Sequence, residues 1–451
     1  MTNGKDLKNN IMNRIIFKLG YLLKRPMVLK YYNEFMQNKL KTVEELEMQQ
    51  NNALKQMINF CFDHVPYYQN LFKSAGMTKR DFNSIKDLEK LPILTKVQIK
   101  NDPESFYPIN ADKKFINGST GGSTGMPLKY RMAPQCYERG VAILFKGWGE
   151  AGYRLGDKMA IIAGASLVSN QKSVKAKIQD DILNFRHYSS YGMNHDLLYK
   201  YALHMNQWKP DYIRGYASSL YLLAKHIDEH SIHLNFHLKG IFSTAEVLSL
   251  NQRSLIERVF NVHVFDNYGL NDGGISAFEC PLHKGMHVDF ERSILQTVND
   301  SGKVVTGEIG KIIATSLYNY AMPFIRYDTG DLGFIDDVNI CECGNPRPLL
   351  KSVYGRTTDY LKLNNNVIGS PVLTVLMGKI NVEHYQIVQI NSDEIDIKYV
   401  NKTLLDAKDK NFIEKSFFEH VGPIRINFKK VTSEELLAKN KHKFIINEVC
   451  L

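Results

Sequence analysis

The chain reads as an α/β protein: a large N-terminal domain with mostly parallel sheets, followed by a small C-terminal α+β domain. Three observations predict this. Between Asp157 and Asp266, apolar strand-like runs alternate with amphipathic helical runs, the pattern of βαβ units. From Gly307 the pattern turns to β, first in GEIGKIIATSLYN and then in PFIRYDTGDLGFI. After Gly355 a shorter stretch carries a hairpin signal, with Tyr385–Ile390 and Glu394–Val400 alternating around Asn391-Ser392-Asp393. A boundary near Gly355–Asp359 divides 1–355, with leader helices in 1–100, from a small mobile unit in 356–451.

Asn13 to Phe35 mixes Lys and Arg with Ile, Leu, Phe and Tyr. Two readings stand open: a helix packed on the body of the protein, or a basic amphipathic helix in peripheral contact with a membrane. Pro26 interrupts the pattern and favours the first. Thr42-Val43-Glu44-Glu45 fits a capping box, and the helix it opens carries an apolar stripe at Leu54, Met57, Ile58, Cys61 and Phe62. Asp157–Gly164, Pro210–Gly215, Gly240–Glu246 and Val262–Asp266 read as strands. The helices between them include Leu220–Ile227 and a segment ending at Phe260. Gln171–Ser190 is polar and ambiguous. In parallel sheets of this kind ligands sit beyond the carboxyl ends of the strands.

Hydrophobic residues make up 44% and charged residues 23% of 451, ordinary for a globular protein with ample length for a core. The net charge of +10 favours anionic partners such as nucleotides. No nucleic-acid module is visible, so nucleic acid is not an expected partner. Six irregularly spaced cysteines do not make a disulfide framework and predict a reducing, cytoplasmic setting. Met1–Asn13 is polar and does not read as a signal peptide, and no run reaches the ~18 apolar residues of a membrane span.

Ile116–Tyr130 reads INGSTGGSTGMPLKY. Ser119, Thr120, Gly121, Gly122, Ser123, Thr124 and Gly125 form an unbroken glycine–hydroxyl run. Glycine lets backbone N–H groups converge on an anion, and the hydroxyls add donors, so the run fits a phosphate cradle. A flexible linker is the plainer alternative. It is neither a Walker loop, since Met126-Pro127-Leu128 follows Gly125 instead of Lys-Ser/Thr, nor a dinucleotide fingerprint, since no helix follows directly.

A phosphate loop leading into a strand and closed by Pro and Lys resembles that of the adenylate-forming ligases. The opening is similar to the leader of their phenylacetate–CoA ligase-like and CapK-like branch: a helix ending in Val65-Pro66-Tyr67-Tyr68, then Asp87-Leu88, Leu91-Pro92 and Leu94-Thr95-Lys96. The resemblance runs from about Gln50 to the C-terminus and implies the two-domain architecture of that superfamily. It places adenine against Ala245, Glu246, Asn267, Tyr268 and Gly269. It makes Asp272, where the family has Glu, the Mg²⁺ ligand beside the phosphates. In Arg326-Tyr327-Asp328-Thr329-Gly330-Asp331 it gives Asp331 both ribose hydroxyls, a task suited to a carboxylate. Asp328 stands where the family has Arg. Gly355-Arg356-Thr357-Thr358-Asp359 resembles the hinge, with Arg356 at the nucleotide. Lys443, in His442-Lys443-Phe444, takes the place of the lysine that reaches the substrate carboxylate and α-phosphate, with Lys441 and Lys439 close by.

Cys280 followed by His283 and His287, and the Cys341-Glu342-Cys343 turn, could hold Zn²⁺. The set Cys280, His287, Cys341 and Cys343 completes a structural tetrahedral site, with His283 the alternative fourth ligand. A zinc site of this layout occurs in some phenylacetate–CoA ligase-like proteins.

The expected activity is ATP- and Mg²⁺-dependent activation of a small carboxylic acid as acyl-AMP. Transfer of the acyl group to CoA, or to an amine or amino sugar in surface-polysaccharide biosynthesis, would follow. A nucleotide-binding accessory protein without turnover is the alternative.

Overall fold

The computed structural model describes residues 4–109, 114–120, 128–163, 174–190, 193, 195–248, 250–336, 341–356, 360–364, 366–369, 373, 376–377, 380, 382, 384–401, 403–432, 435 and 445–447.

The leader folds into α1 (Gly4–Lys24), α2 (Pro26–Gln37), α3 (Val43–His64), α4 (Pro66–Ser74) and α5 (Lys96–Asn101). Pro26 ends α1 and begins α2, because its fixed φ suits a first helical position and its missing N–H breaks the preceding ladder. Thr42 caps α3 in both directions: its backbone N–H donates to Glu45 Oε2 at 2.9 Å, and its Oγ1 accepts from Glu45 N at 3.3 Å. The stripe at Leu54, Met57, Ile58 and Cys61 is buried. Phe17, Val28, Tyr31 and Phe35 pack into the body, as the first reading of this segment requires. At Gly20 a Cβ would lie 2.5 Å from Ile182 Cγ2, so only glycine permits this approach of α1. The opposite face of α1 exposes Ile11, Met12, Ile15, Leu19, Leu22 and Leu23. Among the described residues no helix is long and apolar enough to cross a membrane.

The glycine–hydroxyl run begins on one arm of a hairpin. β1 (Ile116–Ser119) pairs antiparallel with β2 (Lys129–Met132), and α6 (Pro134–Trp148) follows. Next come β3 (Met159–Ala163), α7 (Val174–Leu183), β4 (Phe185–Ser189), α8 (His195–Trp208), β5 (Tyr212–Tyr216), α9 (Ala217–Glu229), β6 (Gly240–Thr244), α10 (Leu250–Phe260) and β7 (Val264–Gly269). The ambiguous stretch 171–190 thus supplies a helix and an edge strand. β4, β3, β5, β6 and β7 are mutually parallel. Met159 and Ile161 face one helical layer, Ala160 and Ile162 the other, so both faces of this half are covered.

The same sheet continues antiparallel through β8 (Ser276–Glu279), β9 (Met286–Val288), β10 (Ser293–Val298), β11 (Ile309–Ser316), β12 (Tyr327–Asp336) and β13 (Leu349–Arg356). The result is one mixed eleven-stranded sheet in the order β10-β11-β12-β13-β9-β8-β7-β6-β5-β3-β4. The mixture has a local cause: the connections from β7 to β8 and from β8 to β9 are too short for a crossover and can only close hairpins. β13 joins β9 through only two register pairs, Leu349↔His287 and Leu350↔Met286.

Beyond β13 lie a hairpin of β14 (Tyr360–Leu363) and β15 (Asn366–Gly369), then β16 (His384–Gln389), β17 (Glu394–Val400), α11 (Ala407–Val421), β18 (Arg425–Lys430) and β19 (Ile445–Asn447). The last four strands form a separate sheet, β18-β17-β16-β19, over its own core of Leu361, Ile387, Ile397, Ile413, Phe417 and Ile445.

Candidate active site

β6 and β7 end side by side, with Thr244 paired to Asn267. The residues just beyond them emerge at the carboxyl edge of the parallel half, where ligands bind in such sheets. Ala245 has φ 66°, a left-handed conformation that glycine adopts without strain. Ala245 and Glu246 are exposed there, and Gly269 is exposed at the end of β7. Asn267 is buried, and its Oδ1 has no hydrogen-bond partner among the described residues. A buried acceptor without a donor is costly and marks a place for a ligand donor.

Tyr268 leaves β7 and reaches across to β12. Its hydroxyl donates to Asp331 Oδ2 at 2.7 Å. Two motifs 63 residues apart in sequence therefore meet through one short bond. Burial, and then the Asp331 charge, push the Tyr268 hydroxyl well above its ordinary value, so it remains a donor. Asp331 is 7% exposed, and its N–H donates to Thr329 Oγ1 at 3.1 Å. Arg356 is its register partner on β13.

Asp272 is also buried, and Tyr327 donates to its Oδ2 at 2.7 Å. Two bonds close the neck of the glycine–hydroxyl hairpin. Thr120 N donates to Leu128 O, and Leu128 N donates to Thr120 Oγ1, each at 3.0 Å. Gly118 faces Tyr130, whose ring would lie 2.2 Å from any Cβ at that position. The Tyr130 hydroxyl is pushed up to about 12, first by burial and then by the charge of Asp272. Ser119 is exposed and Thr120 half-buried at the base of the loop. Gly121, Gly122, Ser123, Thr124 and Gly125 lie outside the described residues, as does Lys443, just before β19.

The cysteine–histidine set converges at the narrow join of the sheet. One ligand atom from each of Cys280, His287, Cys341 and Cys343 lies within 4.8 Å of the others. Cys280 Sγ and Cys341 Sγ are 3.9 Å apart, close to the roughly 3.8 Å expected between two thiolates on one tetrahedral zinc. Cys343 Sγ is 3.2 Å from His287 Nε2, while His287 Nδ1 faces the Arg347 carbonyl at 3.2 Å. That second contact fixes the ring with Nε2 toward the sulfurs, the usual support of a ligating imidazole. Without a cation, burial and then the neighbouring thiols push Cys280 up to about 12. His283 is not part of the cluster: its Nδ1 pairs with Glu279 Oε2 at 3.0 Å. The donor set fits zinc, and His287 takes the fourth corner.

No family model matches the chain. Among curated proteins it is 24% identical to Protein CapK of Staphylococcus aureus over 414 residues, covering 91% of this chain and 89% of that one. It is 22% identical to the phenylacetate-coenzyme A ligase of Thermus thermophilus over 418 residues, covering 90% and 88%. Among solved structures, 2-hydroxyisobutyryl-CoA ligase in its postadenylation state superposes with a TM-score of 0.70 at 16% identity, over 90% of each chain. The same enzyme in its thioesterification state gives 0.60. Over about nine-tenths of its length the chain is thus similar to CapK and to a phenylacetate-coenzyme A ligase, and it has the fold of 2-hydroxyisobutyryl-CoA ligase.

Residues that the motifs did not reveal also lie near the site. The leader segment lies against the Asp331 turn: Leu94 N donates to Arg326 O, and Asp328 N donates to Leu94 O, both at 2.8 Å. Lys96 Nζ donates to Thr329 O at 2.8 Å and sits 5.9 Å from the Tyr327 ring centroid. The leader thus brings a cation to the Asp331 turn. Asp328 Oδ1 accepts from Gly330 N at 2.8 Å and shapes that turn, which accounts for an acid where the family has Arg. Arg326, at φ 51°, is buried and donates to the carbonyls of Leu91 and Gly302.

Proposed function

We propose that this protein is an adenylate-forming ligase that activates a small carboxylic acid with ATP and passes the acyl group to coenzyme A. The observation that carries the reading is the Tyr268–Asp331 bond at the carboxyl edge of the parallel strands, beside a glycine–hydroxyl hairpin. In this reading the adenine amino group donates to Asn267 Oδ1, and the ring lies among Ala245, Glu246, Tyr268 and Gly269. Asp331 accepts from both ribose hydroxyls, with Arg356 alongside. Ser119 to Gly125 cradle the phosphates, and Asp272 holds Mg²⁺, which would neutralise phosphate charge.

A carboxylate oxygen attacks the α-phosphorus, the bond to the β-phosphate breaks, and pyrophosphate leaves. The CoA thiol then attacks the acyl carbonyl, AMP departs, and the thiol proton is lost to solvent. Lys443 offsets charge in the first step. We place the division at 355/356 and infer that 356–451 rotates about residues 355–359 between the two steps. An amine or amino sugar is the alternative acceptor.

With ATP, Mg²⁺ and phenylacetate or another member of an aryl and short-chain acid panel, pyrophosphate should appear. Hydroxylamine should trap a hydroxamate without CoA, and CoA should convert the product to a thioester. If no acid in the panel releases pyrophosphate or forms hydroxamate, the reading fails. Hydroxamate without any thioester moves the acceptor to an amine.

We assign structural zinc to Cys280, His287, Cys341 and Cys343. The purified protein is expected to carry about one zinc. Cys343→Ser, at an exposed position, should weaken its hold by more than about 100-fold. A zinc-free protein that gains no thermal stability when zinc is added would contradict the assignment.

A further inference from the structure

α8 and α9 pack together over one face of the parallel half, well away from the cysteine cluster in sequence. Three histidines meet where they adjoin. His195 is the first residue of α8, His226 lies in the last turn of α9, and His230 follows four residues later. Their ring centroids are 4.9 Å apart for His195–His226, 4.6 Å for His195–His230 and 4.3 Å for His226–His230. One nitrogen from each lies within 4.8 Å of the other two.

The rings are also oriented. His230 Nδ1 lies 2.9 Å from the His226 carbonyl, so the Nδ1–H donates there and Nε2 carries the lone pair. His226 is 5% exposed, and its Nε2 is buried without a hydrogen-bond partner among the described residues. A histidine pair four residues apart projects from one helix face, and the third ring arrives from the neighbouring helix.

We infer that His195, His226 and His230 form a second metal site, one that takes a divalent transition metal of the nickel–copper–zinc class on three imidazoles. Neutral imidazoles suit these metals over Mg²⁺ or Ca²⁺, which need oxygen ligands. Metal–nitrogen bonds of about 2.0–2.1 Å require the rings to draw together by roughly 1 Å, which exposed His195 and His230 can do by side-chain rotation. With three protein ligands, a fourth position stays open to solvent. α9 starts at the carboxyl end of β5, and its last turn is roughly 15 Å further along, so the metal would tie α8 to α9 without touching the nucleotide.

The test uses the full chain, free of any affinity histidine tag and with its own zinc left in place. Ni²⁺ alone is titrated by calorimetry, and thermal unfolding is followed with and without it. One equivalent is expected to bind and raise the unfolding temperature. His195→Gln and His230→Gln, both at exposed positions, should each weaken binding at least 10-fold. The double variant should lose the thermal shift while circular dichroism stays unchanged. His263→Gln, at an exposed position in neither cluster, should leave Ni²⁺ binding as it is. Absence of Ni²⁺ binding by the wild type overturns the site. So does binding that survives in the double variant, or binding lost with His263→Gln.

Discussion

Asp331→Ala is expected to weaken ATP binding by at least about 100-fold. A buried carboxylate hydrogen-bonded to two ribose hydroxyls contributes on the order of 1.5–3 kcal/mol per bond, and both bonds go with the side chain. The same change strands the Tyr268 hydroxyl, which now donates to Asp331 at 2.7 Å. A nucleotide series separates these effects. The wild type should bind ATP far more tightly than 2′,3′-dideoxy-ATP, whereas Asp331→Ala should bind the two alike. Tyr268→Phe should keep the preference and lose only a few-fold in affinity. If Asp331→Ala retains the wild-type preference for the diol, Asp331 does not hold the ribose and the nucleotide assignment falls with it.

The second large effect lies away from the nucleotide. Lys146 on α6 is 5% exposed, and its Nζ donates to Asp289 Oδ2 at 2.7 Å and to Glu291 Oε2 at 3.0 Å. Arg347 completes the group with a 2.7 Å bond to Glu291 Oε1. Lys146→Met removes one cation from two buried carboxylates and should destabilise the protein by about 3–5 kcal/mol. The loss should depend on pH. Burial, then the Glu291 charge, raise the Asp289 carboxyl above its ordinary range. Glu291 is held below its range: burial pushes it up, but Lys146 and then its bond with Asp289 outweigh that. A carboxyl with a raised folded-state pKa keeps a proton that the unfolded chain gives up. Its penalty is therefore absent below the unfolded pKa near 4 and grows as pH rises toward the folded pKa. Thermal unfolding of Lys146→Met should show a smaller deficit at pH 5 than at pH 8, and Asp289→Asn in that background should restore part of it. A deficit that is the same at both pH values, or a variant as stable as the wild type, would contradict this account.

The contrast between these two groups shows what the sequence could carry. Tyr268 and Asp331 sit in short ordered strings whose residue types match a chemical task, so they were legible before any fold was known. The Cys341-Glu342-Cys343 turn is local in the same way. Lys146, Asp289, Glu291 and Arg347 form no string. Each looks like a surface charge until α6 and the strand ends bring them together over 143 to 201 residues. Lys96 was hidden for a similar reason: it lies in a leader with no chemistry of its own, and only the Leu94 strap places it at the Asp331 turn. The histidine trio was missed because its third ring comes from another helix. The mixed sheet was half visible. Helix–strand alternation announced the parallel part, but the short turns after Gly269 decide that the rest runs antiparallel.

The two-pair join between β9 and β13 has a further consequence. Ala245 and Tyr268 belong to the side of the sheet carrying β6 and β7, whereas Asp331 belongs to the side carrying β12. In the proposed reading, the base and the sugar of one nucleotide would therefore be gripped by opposite banks of the thinnest crossing in the sheet. The cysteines and His287 stand at that crossing, so zinc held there would act as a rivet, aligning the two grips from a spot that never meets the substrate.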